Sequence, residues 1–508
     1  MYFHDLNEHV VFEILSWCDI YNVLSFACVN KYYRHIALSK QLWLVLVRDL
    51  EYRGLVDVLP GEGLEDRTAT DLMDRVKRIV LGPKTWSPAW DSPATVKHEI
   101  AVPFEKPYSQ EARVSLLPGG RYFAFCDWLD FRADSLQVWQ TATGRCIWNF
   151  QRVFIDYVVD VADGGNVVYF LFLCEDFNPD RTITVKIVRL DLLTRDSTDM
   201  FDLLLPKIFF NFTATLSGDF FALSFLVEEL ESRGAIHPLL IVNWRSKTCA
   251  FLEPPGSSRS SPRLIPGHII ITGYAQLTAS SASEFILAVY SLASLLWTPI
   301  DTHTIALYPL VSWSEVTPVI TECLPVSWDT RLDVFQSPIH RDTYKVTIYG
   351  TIRVAPPAQT PEKKTRFTSF LRDILPPKQP PASASANRKM IVSYNLSTAA
   401  QPPTIHLVSA VPAVDFIRVW LITFTFAGYS HYHVHPSATT TMLLDARFAR
   451  DGRRCREARR LDWHSGRFCE EKNMVPALPE WGIVQPLGAY SSAVPVLDER
   501  SLTISYYV

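Results

Sequence analysis

No Cys-x-x-Cys pair occurs in this sequence. Its nine cysteines, at positions 18, 28, 126, 146, 174, 249, 323, 455 and 469, are odd in number and scattered. That usage fits a reducing cytosol or nucleus. Long hydrophobic runs are missing as well: the best apolar stretch, Trp420 to Tyr429, follows Asp415 and Arg418 and is far shorter than a bilayer requires. The opening Met1-Tyr2-Phe3-His4-Asp5 has no basic stretch leading into an apolar core, so no secretory signal is expected. An excess of positive charge is lacking too. A formal net charge of −4 argues against a surface built mainly to neutralise phosphate, and nucleic acid is not an expected partner. Finally, there is no Gly-x-Ser-x-Gly elbow, no Gly-x-x-x-x-Gly-Lys phosphate cradle, no Gly-x-Gly-x-x-Gly and no His-Glu-x-x-His. These absences point away from an enzyme and call for no cofactor.

What is present is the material of a large globular protein. At 508 residues the chain exceeds what one hydrophobic core usually serves, so at least two domains are expected. Hydrophobic residues make up 48% and charged residues 20%, close to the globular average, with aromatics enough to fill a sizeable core.

Between Asp5 and Leu50 the apolar residues recur at helical spacing. Leu6, Val10 and Ile14 lie four apart, and Val11 and Leu15 form a parallel row. Asp5, with Glu8 three positions later, is the expected cap of this first helix. Asp19 restarts the chain as a second helix carrying Val23, Leu24, Phe26 and Ala27, and a third short helix runs through Tyr32 to Leu38. Helices this short, in about 45 residues, cannot cover all their apolar surface among themselves, so a partner or a neighbouring domain is implied.

The run Leu6-Asn7-Glu8-His9-Val10-Val11-Phe12-Glu13-Ile14-Leu15-Ser16-Trp17-Cys18-Asp19, followed by Val29-Asn30-Lys31-Tyr32-Tyr33-Arg34 and then Leu42-Trp43, resembles an F-box. The resemblance implies docking onto a Skp-family adaptor and, through it, a cullin, with a target-binding domain downstream. By the same resemblance Leu6, Val10, Val11, Ile14 and Leu15 match positions that pack within the motif or face the adaptor. Leu24 and Val29 belong to the same set, and Trp43 matches the closing aromatic. Asn7 departs from the pattern, which usually has proline directly after the first leucine.

Leu42 to Leu50 continues as a helix with Gly54 a natural stop. Another helix is expected from about Thr68 to Leu81, with Thr68 and Asp71 at capping-box spacing and Gly82-Pro83 ending it. Helical periodicity then gives way, from about Thr95, to short β-prone runs alternating with turns. Glycine turns at Leu117-Pro118-Gly119-Gly120, Ala162-Asp163-Gly164-Gly165, Leu216-Ser217-Gly218-Asp219 and Ile265-Pro266-Gly267-His268 recur at roughly 45 to 54 residues, near the spacing of propeller blades. Third strands ending at Val138-Trp139, Val188-Arg189-Leu190-Asp191, Val242-Asn243-Trp244 and Val289-Tyr290-Ser291 keep step with them. Four-stranded units of this kind bury both faces by radial stacking, so the expected architecture is a multi-domain α plus all-β chain. It comprises a three-helix F-box over 1–50, linker helices over 51–94 and a β-propeller-like domain of four-stranded repeats over 95–508, loosely similar to WD-repeat propellers, with a pair of β-sandwiches as the alternative for the β region. Later strands are expected at Leu332 to Gln336, Tyr344 to Tyr349, Met390 to Asn395, Val419 to Phe426 and Leu502 to Val508, the last closing the ring against Val96 to Val102.

The segment Ala355 to Asn387, crowded with Pro, Ser, Ala and Lys, reads as a disordered insertion. Within it Phe367 to Leu375 has helical potential, although a solvated loop is the simpler reading. His431, His433 and His435 would point to one face of a strand, but about 7 Å apart and with no fourth ligand nearby, so a polar strand or loop is expected instead of a metal site. Arg447, Arg450, Arg453, Arg454, Arg456, Arg459 and Arg460, diluted by Asp445, Asp451, Glu457 and Asp462, read as a solvated surface loop.

These features together lead to the expectation of a non-catalytic substrate receptor of a Skp-cullin-F-box ubiquitin ligase, cytoplasmic or nuclear, with no membrane association and an unidentified protein target. A protein-interaction scaffold outside any ligase is the first alternative. A propeller hydrolase using a metal on the three histidines is the second.

Overall fold

A computed structural model describes residues 6–57, 63–82, 95–104, 108, 112–129, 132–175, 182–205, 209–227, 239–252, 262–275, 284–300, 316–324, 328–353, 387–399, 402–412, 433–436, 440–448, 454–462, 468–469, 483–484, 493–498 and 500–507. The expected strand at Val419 to Phe426, the segment 367–375, and the insertion apart from Asn387 lie outside these residues.

Five helices come first: α1 (Glu8–Ser16), α2 (Ile20–Ala27), α3 (Lys31–Ala37), α4 (Lys40–Tyr52) and α5 (Ala69–Leu81). Asn7, not Asp5, caps α1: its side chain accepts the Val10 N–H at 2.9 Å, while Asp5 lies outside the described residues. The amide oxygen of asparagine reaches the free amides of the first turn as well as a carboxylate does, and position 7 has the extended backbone (φ −72°, ψ 160°) that a cap requires. Asn30 does the same for α3, accepting from Tyr33 N–H at 2.8 Å. At α5 Thr68 and Asp71 form the expected capping box.

The five helices share one core, in which Val11, Leu15, Val23, Ile36, Leu42, Trp43, Leu46, Leu50, Leu72 and Val76 are buried together. Trp43 is fully enclosed, and its indole N–H donates to the Ala37 carbonyl at 2.9 Å, tying the end of α3 to α4. A buried indole that finds this acceptor avoids the cost of an unpaired donor.

The β region is a propeller. Blade 1 comprises Arg113–Leu116, Tyr122–Leu129, Arg132–Gln140 and the first part of the long strand Arg145–Ala162. That strand hands over at Phe154, pairing with Ala133 on one edge and Cys174 on the other, and its second part opens blade 2. Blade 2 continues through Val167–Glu175, Ile183–Asp191 and Ser197–Leu205. Blade 3 is Phe209–Ser217, Phe220–Val227, Leu239–Asn243 and Thr248–Leu252, with Thr298–Pro299 added outside. Blade 4 is Arg263–Ile265, His268–Ala275, Glu284–Ser291 and Ile320–Leu324, and blade 5 is Trp328–Gln336, Thr343–Arg353, Asn387–Ser397 and Thr404–Pro412. Blade 6 is His433–Pro436, Thr440–Phe448, Arg454–Asp462 and Phe468–Cys469. Blade 7 joins Ile483–Val484, Ala493–Asp498 and Ser501–Tyr507 to the early strand Val96–Pro103, with Val102 opposite Leu502. The ring closes as the sequence implies.

Each glycine turn sits between the first and second strands of a blade. Gly119, Gly164, Gly218 and Gly267 take positive φ there, the conformation that costs glycine least. One sequence expectation is corrected: Arg447 lies on Thr440–Phe448 and Arg454 to Arg460 on Arg454–Asp462, two paired strands instead of a loop. Ladder hydrogen bonds from neighbouring strands stabilise the extended backbone whatever the charge of the side chains, a tertiary contribution that a charge pattern does not reveal.

Alternation along the strands explains why the blades stack. In Val167–Glu175 the residues Val168, Phe170, Phe172 and Cys174 pack against blade 1, while Val167, Tyr169, Leu171 and Leu173 pack against blade 3. The same two-sided burial joins blade 3 to 4, 4 to 5 and 7 to 1. A strand buried on both faces reads as a continuous apolar run, as Val-Val-Tyr-Phe-Leu-Phe-Leu-Cys does here.

Candidate functional site

The helical module rests on one mouth of the propeller. In an antiparallel meander the first and third turns lie at one end of the blade and the second turn at the other. First turns of three blades meet the helices: Pro118 of blade 1 lies against Gly54, Gly164 of blade 2 lies under the Tyr52 ring, and the turn 337–342 of blade 5 meets α1, α2 and α4. A Cβ on Gly164 would come within 2.7 Å of Tyr52, so glycine is needed there for close approach as well as for its positive φ.

The blade 5 turn supplies most of the polar contact. Arg341 Nη2 lies 3.1 Å from Asp49 Oδ1, its Nη1 donates to the Trp17 carbonyl at 3.4 Å, and its main-chain N–H donates to Asp19 Oδ1 at 3.2 Å. Arg53 donates to the carbonyls of Ser337 and Pro338, both at 3.3 Å, with Nε 3.0 Å from Asp49. Burial lowers the Arg53 pKa and Asp49 opposes the shift, the balance expected of a desolvated but paired guanidinium. Phe335 and Ile339 add apolar contact with the helical core. Asp19, expected simply to restart the chain, thus precedes α2 with its carboxylate directed to the propeller and makes no side-chain cap.

This seating covers one side of the helices and leaves another bare. Along α1, Val11 and Leu15 face inward, whereas Val10, Ile14 and Trp17 face out, with Ile14 40% and Trp17 73% exposed. In α2, Ile20 and Val23 are buried, but Tyr21 and Leu24 are exposed, at 53% and 43%. Val29, 63% exposed, and Tyr32 extend the set towards α3. Of the residues expected from the sequence, Val11, Leu15 and Trp43 therefore lie in the core. Leu6 is half-buried, Asn7 is an exposed cap, and Val10, Ile14, Leu24 and Val29 are open to solvent. Sequence reasoning missed Trp17 and Tyr21, although each lies three residues from an expected position, Trp17 from Ile14 and Tyr21 from Leu24, and so on the same helical face.

Seven large apolar side chains uncovered within about 25 residues are what an interaction site looks like; singly scattered ones would need no explanation. Cys18 donates its S–H to the Ile14 carbonyl at 3.3 Å, and burial, reinforced by the Asp19 charge, pushes its pKa up. Among the described residues no group of three His, Cys, Asp or Glu could hold a metal. His433 and His435 lie on the first strand of blade 6, and His431 is outside the described residues.

Structurally, this is a helical module fixed to a propeller. The family model of the F-box domain matches residues 3–45, and the chain carries an F-box domain followed by a β-propeller. F-box domains in general bind a Skp-family adaptor within ubiquitin ligase complexes. Among curated proteins no relative matches the chain. Similar solved structures include the WD40 domain of SCAP from fission yeast, at 10% identity over 78% of this chain and 84% of that one, TM-score 0.37. Another is the β-propeller domain of the Trilobed protease from Pyrococcus furiosus, at 9% identity over 79% and 94% respectively, TM-score 0.37. The propeller here is defined by its own sheet order and ring closure, not by these distant likenesses.

Proposed function

We propose that this protein is the substrate-recognition subunit of a Skp-cullin-F-box ubiquitin ligase, working in the cytoplasm or nucleus. The exposed face of α1 and α2 takes the adaptor, and the propeller takes the target. The single observation that carries this reading is that Val10, Ile14, Trp17, Tyr21 and Leu24 remain uncovered although the module is already seated on the propeller.

The seating also favours a position for the target. Helices occupy the end of the described strands that bears the first turns, so the target is placed at the opposite end of the described strands. The receptor itself catalyses nothing. It holds a target lysine near a charged ubiquitin carrier, turning a bimolecular encounter into an effectively intramolecular one.

Co-purification with a Skp-family adaptor tests the reading. Wild type should retain the adaptor, and Ile14→Asp should lose it, because a carboxylate set against an apolar partner face is left desolvated and unpaired. A wild-type chain that fails to retain the adaptor leaves the non-ligase scaffold as the better description.

A further inference from the structure

We propose that the adaptor-docking surface does not end at the F-box but continues onto the propeller, with the blade 5 turn at His340 and Arg341 forming one wall of a composite site for the same adaptor. This rests on the adaptor-binding reading above and adds to it a contact outside the F-box.

The observation is a continuity of surface. Trp17 caps the C-terminal end of α1 and Tyr21 lies in the first turn of α2, and both are among the most exposed apolar residues of the module. The propeller turn lies directly against this corner. The Tyr21 and His340 rings are 4.8 Å apart at a tilt of 43°, the Tyr21 N–H donates to the Ile339 carbonyl at 3.4 Å, and Arg341 holds the Trp17 carbonyl. The turn is itself braced, since the main-chain N–H groups of Ile339 and His340 both donate to Ser337 Oγ at 3.3 Å. The imidazole and the guanidinium are still only partly covered, with side-chain exposures of 36% and 33%. A partner that buries Tyr21 therefore comes up against His340, whose ring lies 4.8 Å from it.

The chemistry of the corner suits a protein anchor. Two aromatic side chains offer the largest apolar area per ordered torsion, and tryptophan and tyrosine are the residues that most often dominate interfaces. Arg341 is already engaged by Asp19, Asp49 and the Trp17 carbonyl, so the corner is rigid before the partner arrives and little ordering cost remains. The adaptor is the occupant because Trp17 continues the Val10–Ile14 row of α1 within the matched F-box domain. A partner covering Ile14 reaches Trp17 one helical turn on.

The test is the affinity of the full-length chain for a purified Skp-family adaptor, measured by calorimetry for wild type, Ile14→Asp, Trp17→Ala and His340→Glu, with thermal melts of each. All three side chains are partly or largely exposed, and matching melts show that folding is intact. The expected result is near-complete loss for Ile14→Asp, a weakening of tenfold or more for Trp17→Ala, and roughly threefold to tenfold for His340→Glu. Should Ile14→Asp abolish binding while His340→Glu binds like wild type, whatever Trp17→Ala does, the composite wall is overturned and the F-box face alone stands. Failure of the wild type to bind overturns both.

Discussion

The two regions of this molecule use apolar residues differently. In the propeller nearly every described strand residue of Val167–Glu175 is buried, because each blade has a neighbour on both faces. In the F-box, α1 and α2 have a neighbour on one side only, and the same residue types, Val10, Ile14 and Leu24, stand in solvent. The propeller spends its hydrophobic surface on its own stability, whereas the helical module keeps part of its surface available for another protein. Substitutions that look equivalent on paper should thus part ways, with stability lost in one region and binding lost in the other.

The sharpest contrast comes from Phe172→Ala. Phe172 is fully buried between blades 1 and 2, stacked at 4.0 Å on Phe150, and its removal should cost about 3–5 kcal/mol in chemical denaturation. Next is Arg53→Ala, at the joint between the two regions. It removes both donors to the 337–338 carbonyls and leaves Asp49 less well compensated, an expected loss of roughly 2 kcal/mol. Faster proteolysis near the helix–propeller joint should accompany it.

A pH experiment probes the propeller from another side. Asp156, on the shared strand Arg145–Ala162, has its carboxyl pushed up to about 6 by burial, against the opposing hydrogen bond from the Tyr157 N–H at 2.9 Å. A carboxyl pKa higher in the folded state means the fold favours the protonated form. Its contribution is therefore fully present below the unfolded value near 4, lost as pH rises to about 6, and flat beyond. Asp156→Asn, which keeps the acceptor oxygen, should stabilise the protein by about 1–2 kcal/mol at pH 7.5 and by almost nothing at pH 4. Denaturant midpoints at the two pH values check this.

Smaller effects belong to the helical module. Asn7→Ala removes the cap on α1 and should cost about 1 kcal/mol. Asn7→Pro loses the same cap while its ring fits the observed φ of −72°, so any gain in adaptor affinity from the usual family residue would come with a lowered melting temperature. Ile14→Asp should change stability least, within about 0.5 kcal/mol, even though it is expected to have the largest effect on binding.

Much of this arrangement was legible in the sequence because its signals are local. The F-box is one contiguous run of helical spacing and caps, and the glycine turns recur because each blade needs a positive φ at the same corner. Even the closing pair could be read, since strands are expected at Leu502 to Val508 and Val96 to Val102, at opposite ends of the β region, and Val102 lies opposite Leu502. Other features depend on tertiary contact. Periodicity separates the Val10–Ile14 row from the Val11–Leu15 row but does not say which one faces a partner. The turn 337–342 carries no motif, and only the fold brings Arg341 to Asp19 and Asp49. Spacing alone points to Asp5 as the cap, with Glu8 three residues on, whereas the chain enters α1 in extended backbone at Asn7, whose side chain takes the Val10 N–H.

In the proposed function the bare face of α1 and α2 is the surface another protein covers. Hydroxyl-radical footprinting of the full-length chain, alone and with a purified Skp-family adaptor, reads this residue by residue. Rapid modification of Val10, Ile14 and Leu24 in the free chain, strongly suppressed on adding the adaptor while blade 2 residues stay unchanged, is the predicted result. Slow modification of those residues in the free chain, or modification that the adaptor leaves unaltered, would contradict it.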